Sequence, residues 1–241
     1  LAQGRPVNLI GPDVPTPAYL WWAGHGRVWA SPEEPQTRAV TFTAAEHSMI
    51  EPLPRSPRAA YRLTARLRQK YGGNPNGTVG VYFGNVRITT TEGPQDFCGL
   101  ASFTDLGLNA TAARDTAGRP SGRLGLDLLH LGNSRRKPFR VYTHLARSIF
   151  YRPKHPLTPP GDWHDLTLEV RADQVLVAWD GQTAALTPPT EWPYWLGELR
   201  LEYPDLREAK LRWDAYGALG ILVYGASAEV MHLRLEPLPN P

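Results

Sequence analysis

Three scarcities narrow the field before any motif is found. The 241-residue chain has one cysteine, Cys98, so no intramolecular disulfide can close and no metal site built on several thiolates exists. A small scaffold held by disulfide staples is excluded. Long apolar runs are also missing. The longest uncharged one, Ala215 to Ala228, is too short and too rich in Gly to cross a bilayer, and no basic-then-apolar segment opens the chain. Membrane insertion is therefore not expected. Lysine is the third scarcity, confined to positions 70, 137, 154 and 210, while Arg supplies the rest of the 26 basic residues in a chain of net charge +3. The one dense basic run, Arg135-Arg136-Lys137, reads as the solvated tip of a hairpin, so no nucleic-acid partner is expected.

What is abundant points to sheet. Proline (24) and glycine (22) imply many turns, and 41% hydrophobic with 20% charged residues is a globular balance. The hydrophobic period is two. In "YRLTARLRQ" Tyr61, Leu63, Ala65 and Leu67 alternate with Arg62, Thr64, Arg66 and Arg68, a half-buried strand with a cationic outer face. "TVGVYFGNVRI" follows as a Gly-interrupted strand, and "SGRLGLDLLHL" and "FRVYTHLARSIF" pair around the basic turn.

The segment "DWHDLTLEVRADQVLVAWDGQ", residues 162 to 182, gathers Asp162, His164 and Asp165 around Trp163 and raises the question of a catalytic cluster. Its alternation answers otherwise. Leu166, Leu168 and Val170 share one face, Ala172-Asp173-Gln174 turns, Val175, Val177 and Trp179 return, and Asp180-Gly181 makes the next turn. Trp163 covers the core edge where the hairpin begins, and the polar trio flanks a strand start. Near the carboxyl end, Leu219, Ile221 and Val223 lie on one face, a turn is expected at Gly225-Ala226-Ser227, and a bulge at Met231-His232 would bring Val230, Leu233 and Leu235 into the core together. Asp205 and Glu208 have capping-box spacing for one short helix reaching Trp213.

"DWHDLTLEVRADQVLVAWDG" followed by "GALGILVYGASAEVMHLRLEPL" resembles the closing half of concanavalin A-like jelly rolls of the laminin G-like and keto-disaccharide-hydrolase-like type. The shared features fall on Trp163, Asp180-Gly181, Gly217, Gly220 and the stretch from Val230 to Leu238. The earlier "YRLTARLRQKYGGNPNGTVGVYFG" is similar to the paired strands that open such domains. The resemblance implies an all-β, concanavalin A-like jelly-roll sandwich of two antiparallel sheets with at most one or two short helices. One domain spans residues 1–241, its termini close together in the same sheet. It also implies an extracytoplasmic setting. A start at Leu1 rather than Met suggests a domain processed or excised from a longer protein, whose other domains would be partners.

The hydrolase-like members carry an acidic and histidine constellation in mid-domain that finds no counterpart here, so no catalytic residue is assigned. Asp105 and Asn109 offer oxygen to Ca²⁺ without the spacing of a calcium loop, and a polar loop is the simpler reading, so no metal or cofactor is assigned. His130 and His144 can approach across the basic hairpin. "NGT" at 76 and "NAT" at 109 match glycosylation acceptors, a pattern common by chance. Eight tryptophans exceed what a core of this size needs. Trp179 and Trp213 alternate with apolar neighbours as core residues do. Trp21, Trp22 and Trp29 in "YLWWAGHGRVW", and Trp192, Tyr194 and Trp195 in "TPPTEWPYWLG", fall in Gly- or Pro-rich stretches read as loops. Aromatic rings on loops suit stacking on sugar faces, and they equally suit capping an open sheet edge. The expected function is non-catalytic recognition of a glycan or polysaccharide. A glycoside-acting hydrolase and a structural accessory domain are the alternatives.

Overall fold

The structure is a computed structural model that describes residues 5–11, 14, 20–30, 39–56, 59–70, 77–90, 93–105, 122–134, 137–149, 161–187, 197, 200–201 and 214–239. Among these residues lie twelve strands: β1 (Val7–Ile10), β2 (Leu20–Ala30), β3 (Val40–Leu53), β4 (Tyr61–Lys70), β5 (Thr78–Thr90), β6 (Gly93–Asp105), β7 (Gly122–Ser134), β8 (Lys137–Ile149), β9 (His164–Val170), β10 (Val175–Trp179), β11 (Gln182–Thr187) and β12 (Ala218–Pro237). Gly197, Arg200 and Leu201 are helical, and the capping-box segment from Asp205 to Trp213 falls outside the described residues.

The antiparallel order is β11-β10-β9-β4-β12-β5-β6-β7-β8, with β1 and β3 also on β12 and β2 on β3. A sheet this long must curl, and the place where it does is visible in β12. From Ala218 to Tyr224 that strand pairs with β5, from Ser227 to Pro237 with β4, and β3 follows it through both parts. Between the two parts stands Gly225 at φ 53°, where glycine adopts a left-handed backbone without steric cost. The β12–β3 register shifts between Tyr224 and Ala226, and the β2–β3 register shifts between Gly24 and Gly26. The Gly225-Ala226-Ser227 turn expected from sequence is therefore a bend inside one strand. Continuous pairing with β3 holds the chain extended, so the glycine kinks it instead of reversing it. The two expected sheets are likewise two halves of one hydrogen-bonded sheet.

The halves face each other. Phe103 of β6 stacks on Trp179 of β10 at 4.4 Å between ring centroids, although those strands share no ladder. Between them lies one core that includes Val79, Val81, Phe83, Leu219, Ile221 and Val223 from one half and Leu63, Leu67, Leu168, Val177 and Trp179 from the other. Burying each such side chain contributes roughly 1.5–3 kcal/mol. Gly99 has no side chain because the Phe83 ring occupies the space a Cβ would fill. The β4 alternation is as expected, with Tyr61, Leu63, Ala65 and Leu67 all buried. The β12–β4 register shifts between Val230 and His232, and Val230, Leu233 and Leu235 all reach the core, as a bulge there requires. Val7 pairs with Leu235, which brings the two ends of the described chain into one sheet.

The cationic outer face of β4 is met by carboxylates on both neighbours. Arg62 binds Glu169 of β9 at 2.6 Å, Arg66 reaches Asp165 at 3.4 Å, and Arg68 and Lys70 converge on Glu229 of β12 at 2.5 and 3.0 Å. Glu229 is buried at 1% exposure, and the Trp163 ring lies over the Arg68 guanidinium at 4.6 Å. Most of these pairs are half-exposed and contribute little, whereas the Glu229 centre is dry enough that losing one partner strands the others. Glu229→Gln is expected to cost about 3–5 kcal/mol in a urea melt. The same change at Glu236, which pairs with Arg234 at the surface, is expected to cost under about 1 kcal/mol.

Candidate binding face

The structure does not support a loop setting for the first aromatic group. Trp21, Trp22 and Trp29 belong to β2, with Trp21 opposite Ile50, Trp29 opposite Thr41, and Trp22 at the register shift between Trp21 and Ala23. The glycines that suggested a loop are spent at the bend that β2 shares with β3 and β12. Trp192, Tyr194, Trp195 and Trp213 lie outside the described residues, as do Asn76 and Asn109. Asp105 closes β6 opposite Gly122. His130 pairs with Tyr142 and His144 with Leu128, a diagonal relation on neighbouring strands. Among the described residues no three His, Cys, Asp or Glu side chains gather as a metal site would need.

The trio at the hairpin entrance forms a latch. His164 is buried, its ring beside the stacked pair Phe103, at 5.1 Å, and Trp179, at 4.9 Å. Its Nδ1 is 2.8 Å from Asp180 Oδ2, the Asp165 N–H donates to Asp180 Oδ1 at 2.9 Å, and the Asp180 N–H donates to the Asp165 carbonyl at 2.8 Å. Asp180 and Gly181 both have positive φ, 46° and 74°, the signature of a tight hairpin turn. Partial burial works against the Asp180 charge. The His164 hydrogen bond, the Asp165 N–H and the His164 and Arg66 charges outweigh it and hold the carboxyl below its ordinary value of 3.8. A group depressed in this way stabilises the fold above its unfolded value, and the contribution is lost as pH falls through the folded one. Asp180→Asn is therefore expected to melt at a lower temperature than the parent at pH 7. The gap should close as the pH of the melts is taken below about 3.8.

A second set of polar groups lies on the face of the other half-sheet that points away from the core. Across β3, β12, β5 and β6 this face carries Met49 and Glu51, then Gly220 and Leu222, then Tyr82 and Arg87, then Asp96, Cys98 and Leu100. All but Arg87 are buried. Tyr82 stands opposite Gly220 of β12, and its hydroxyl donates at 3.3 Å to the Ile50 carbonyl on the strand beyond. A Cβ at Gly220 would strike that same carbonyl, so the missing side chain is what lets β3 and the phenol meet. Arg87 and Asp96 pair directly across the β5–β6 hairpin, and Arg87 Nε donates to Asp96 Oδ1 at 3.2 Å.

The electrostatics of this face differ from those around Glu229. Arg87 is 53% exposed and Asp96 only 8%. Burial pushes the Asp96 carboxyl up to about 7, opposed by Arg87 and reinforced by Glu51. Burial raises Glu51 as well, again against the pull of Arg87. The Tyr82 phenol and Cys98 thiol are driven well above their ordinary values, first by burial and then by the neighbouring acids, so neither ionises near neutrality. One half-exposed guanidinium thus stands beside Asp96, an acid that burial keeps largely neutral in mild acid. Sequence reasoning missed this set. The signal available was the symmetry of Arg87 and Asp96 about Thr91-Glu92, with Asp96 out of phase with the core residue Phe97.

No protein-family profile matches the chain, and no curated protein matches it in sequence. Among solved structures it is similar to the carbohydrate-binding module CBM66 from Bacillus subtilis, with 12% identity and a TM-score of 0.45 over 90% of this chain and 94% of that one. It is also similar to a protein of unknown function with a galectin-like fold from Bacillus subtilis, with 11% identity and a TM-score of 0.48 over 92% and 90%. A third is the exoplasmic/lumenal domain of VIP36 in its Ca²⁺/Man3GlcNAc-bound form, with 10% identity and a TM-score of 0.47 over 97% and 89%. At such identities and scores, what those proteins bind says nothing of what this chain binds.

Asp96 gives the face a titration of its own. Its folded value lies above the ordinary 3.8, so the folded state holds the proton more tightly, and the contribution is present below 3.8 and lost as pH rises through about 7. Asp96→Asn is expected to remove that loss. Relative to the parent, the variant should gain melting temperature from pH 4 to about pH 7 and level off above it; a constant difference would show that Asp96 ionises at its ordinary value.

Proposed function

We propose that this chain is a non-catalytic carbohydrate-recognition domain, with the half-exposed Arg87 of the β3–β12–β5–β6 half-sheet as a candidate contact. One observation carries the reading: a half-exposed guanidinium is held by a buried carboxyl on a sheet face rather than in a loop. Such a set is fixed before a ligand arrives, so little entropy is lost on docking, and it offers planar donors to adjacent hydroxyls. β2 continues the same half-sheet, with Leu20 opposite Glu51 and Trp21 opposite the core residue Ile50. Trp21, Trp22 and Trp29, together with Trp192, Tyr194 and Trp195, supply the candidate stacking rings.

A glycan array followed by calorimetric titration tests the reading. Arg87→Ala is expected to weaken binding by about 1–3 kcal/mol, the scale of a binding hot spot, with little change in melting temperature because the side chain is half-exposed. Unchanged affinity would move the site away from this face. The hydrolase alternative is favoured by one feature, a buried acid that holds its proton up to about 7, as a general acid must. A hydrolysis assay on the same glycans separates the two readings. Turnover that disappears in Asp96→Asn would identify an enzyme, and binding without turnover is the outcome expected.

A further inference from the structure

The latch at the head of the β9–β10 hairpin closes over a reactive pair. Asp180-Gly181 is the chain's one Asp-Gly pair. In such a pair the glycine amide nitrogen can attack the aspartate Cγ, because glycine has no side chain to obstruct the approach. With the carboxyl in its acid form, its hydroxyl and the amide proton leave together as water, and a succinimide ring closes. Water then adds to the Asp180 main-chain carbonyl carbon and breaks its bond to the Gly181 nitrogen. The peptide link now runs through Cγ, and the residue is isoaspartate. Packing does not shield this site. The Asp180 side chain is 41% exposed, and a Cβ placed on Gly181 would meet no atom within 4 Å. Hydrogen bonds do shield it. The departing oxygen must be Oδ1 or Oδ2, and both are held: Oδ2 lies 2.8 Å from His164 Nδ1, and Oδ1 accepts from the Asp165 N–H at 2.9 Å. One of these bonds has to break before the ring can close. Both also favour the ionised carboxylate, the form that has no hydroxyl to expel.

We propose that Asp180-Gly181 is a covalent modification site, where aspartate converts to isoaspartate, and that the His164–Asp180 hydrogen bond is the catch that holds the conversion off in the folded chain. His164 suits that role because its ring is buried beside Phe103 and Trp179, so its bond to Asp180 lasts as long as that packing does. The conversion in turn damages the same contact. Isoaspartate adds one carbon to the main chain in a turn whose two residues hold φ of 46° and 74°, between the paired residues Trp179 and Gln182. Trp179 stacks on Phe103 across half-sheets whose strands β10 and β6 share no ladder, so a distorted turn weakens the packing between the halves. A local opening of the hairpin thus becomes a covalent change, and the latch sets how often it does.

The test incubates the whole chain, folded and in unfolding urea, beside two folded variants, at one temperature below the melting temperature of every folded sample. His164→Phe keeps an aromatic ring in the stack and removes the hydrogen bond. His164→Asn gives up the ring and keeps an N–H donor at the position of Nδ1. Peptide mapping then reads isoaspartate at Asp180 in the tryptic fragment Ala172–Arg200, which excludes Asn76-Gly77, the chain's one Asn-Gly pair. The folded parent is expected to convert about tenfold or more slowly than the unfolded chain, the factor that a hydrogen bond to a charged group supplies. His164→Phe should lose most of that protection, and His164→Asn should convert at a rate nearer the parent's. Parent chain isolated after conversion should melt at a lower temperature than unconverted chain. A role for His164 in packing alone predicts the opposite order, with Asn faster than Phe, and that order overturns the catch. Equal rates in the folded and unfolded parent overturn the protection. Isoaspartate that forms elsewhere in the unfolded chain and not at Asp180 overturns the site itself. The comparison of folded with unfolded parent needs neither variant, so a variant that fails to fold still leaves a decisive result.

Discussion

Because β12 keeps its ladder with β3 while exchanging β5 for β4, a single strand sets the direction of both halves of the sheet. The exchange needs a residue that bends without leaving the ladder, and Gly225 at φ 53° supplies it. Everything to one side, from β5 to β8, is carried over the core. Everything to the other side, from β4 to β11, is carried under it. The Phe103–Trp179 stack is the point where the two meet, and the packing of His164 against both rings ties the β9–β10 hairpin to the same contact. A substitution that straightened β12 would pull apart faces that meet through the Phe103–Trp179 packing.

The two outer faces bury acids under opposite rules. Glu229 lies within 3.0 Å of two cations, one of them covered by an aromatic ring, so the cost of removing its charge from water is offset locally. Glu51 and Asp96 have Arg87 between them, and half of that side chain is in solvent. Burial disfavours the charged form of Asp96 more than Arg87 favours it, so its ionisation costs stability. Perturbed acids of this kind concentrate where a ligand or a proton supplies the missing term.

Much of the architecture was legible in the sequence because alternation and turn chemistry are local. β4, the β9–β10 hairpin and the β7–β8 pair follow from period-two runs and the residues that end them. The Met231-His232 bulge followed from phase alone, since only an extra residue lets Val230 and Leu233 share a face. Gly225 was misread because a glycine at φ > 0 has the same sequence signature in a reversal and in a kink. The difference lies in β3, more than 170 positions away, which pairs with both sides of it. The tryptophans of β2 were misread for the same reason. Glycines beside them suggested a loop, and the strand that uses those glycines as bend points is recognisable only once its partner is known.

The candidate site was less legible for a further reason. In "DWHDL" the polar residues are clustered and conspicuous, yet their hydrogen bonds close on one another. Both Asp180 oxygens are occupied, by His164 and by the Asp165 N–H, and the His164 ring packs against the Phe103–Trp179 stack. A constellation that satisfies itself in this way has little left to offer a ligand. Glu51, Arg87 and Asp96 are scattered over 46 residues and each occupies an ordinary outward position of an alternating strand. Nothing in their neighbours along the chain marks them, because the property that distinguishes them, two acids buried beside one half-exposed cation, exists only after β3, β12, β5 and β6 are laid side by side. Chemistry read from proximity in sequence thus points to the latch, and chemistry read from strand register points to the face.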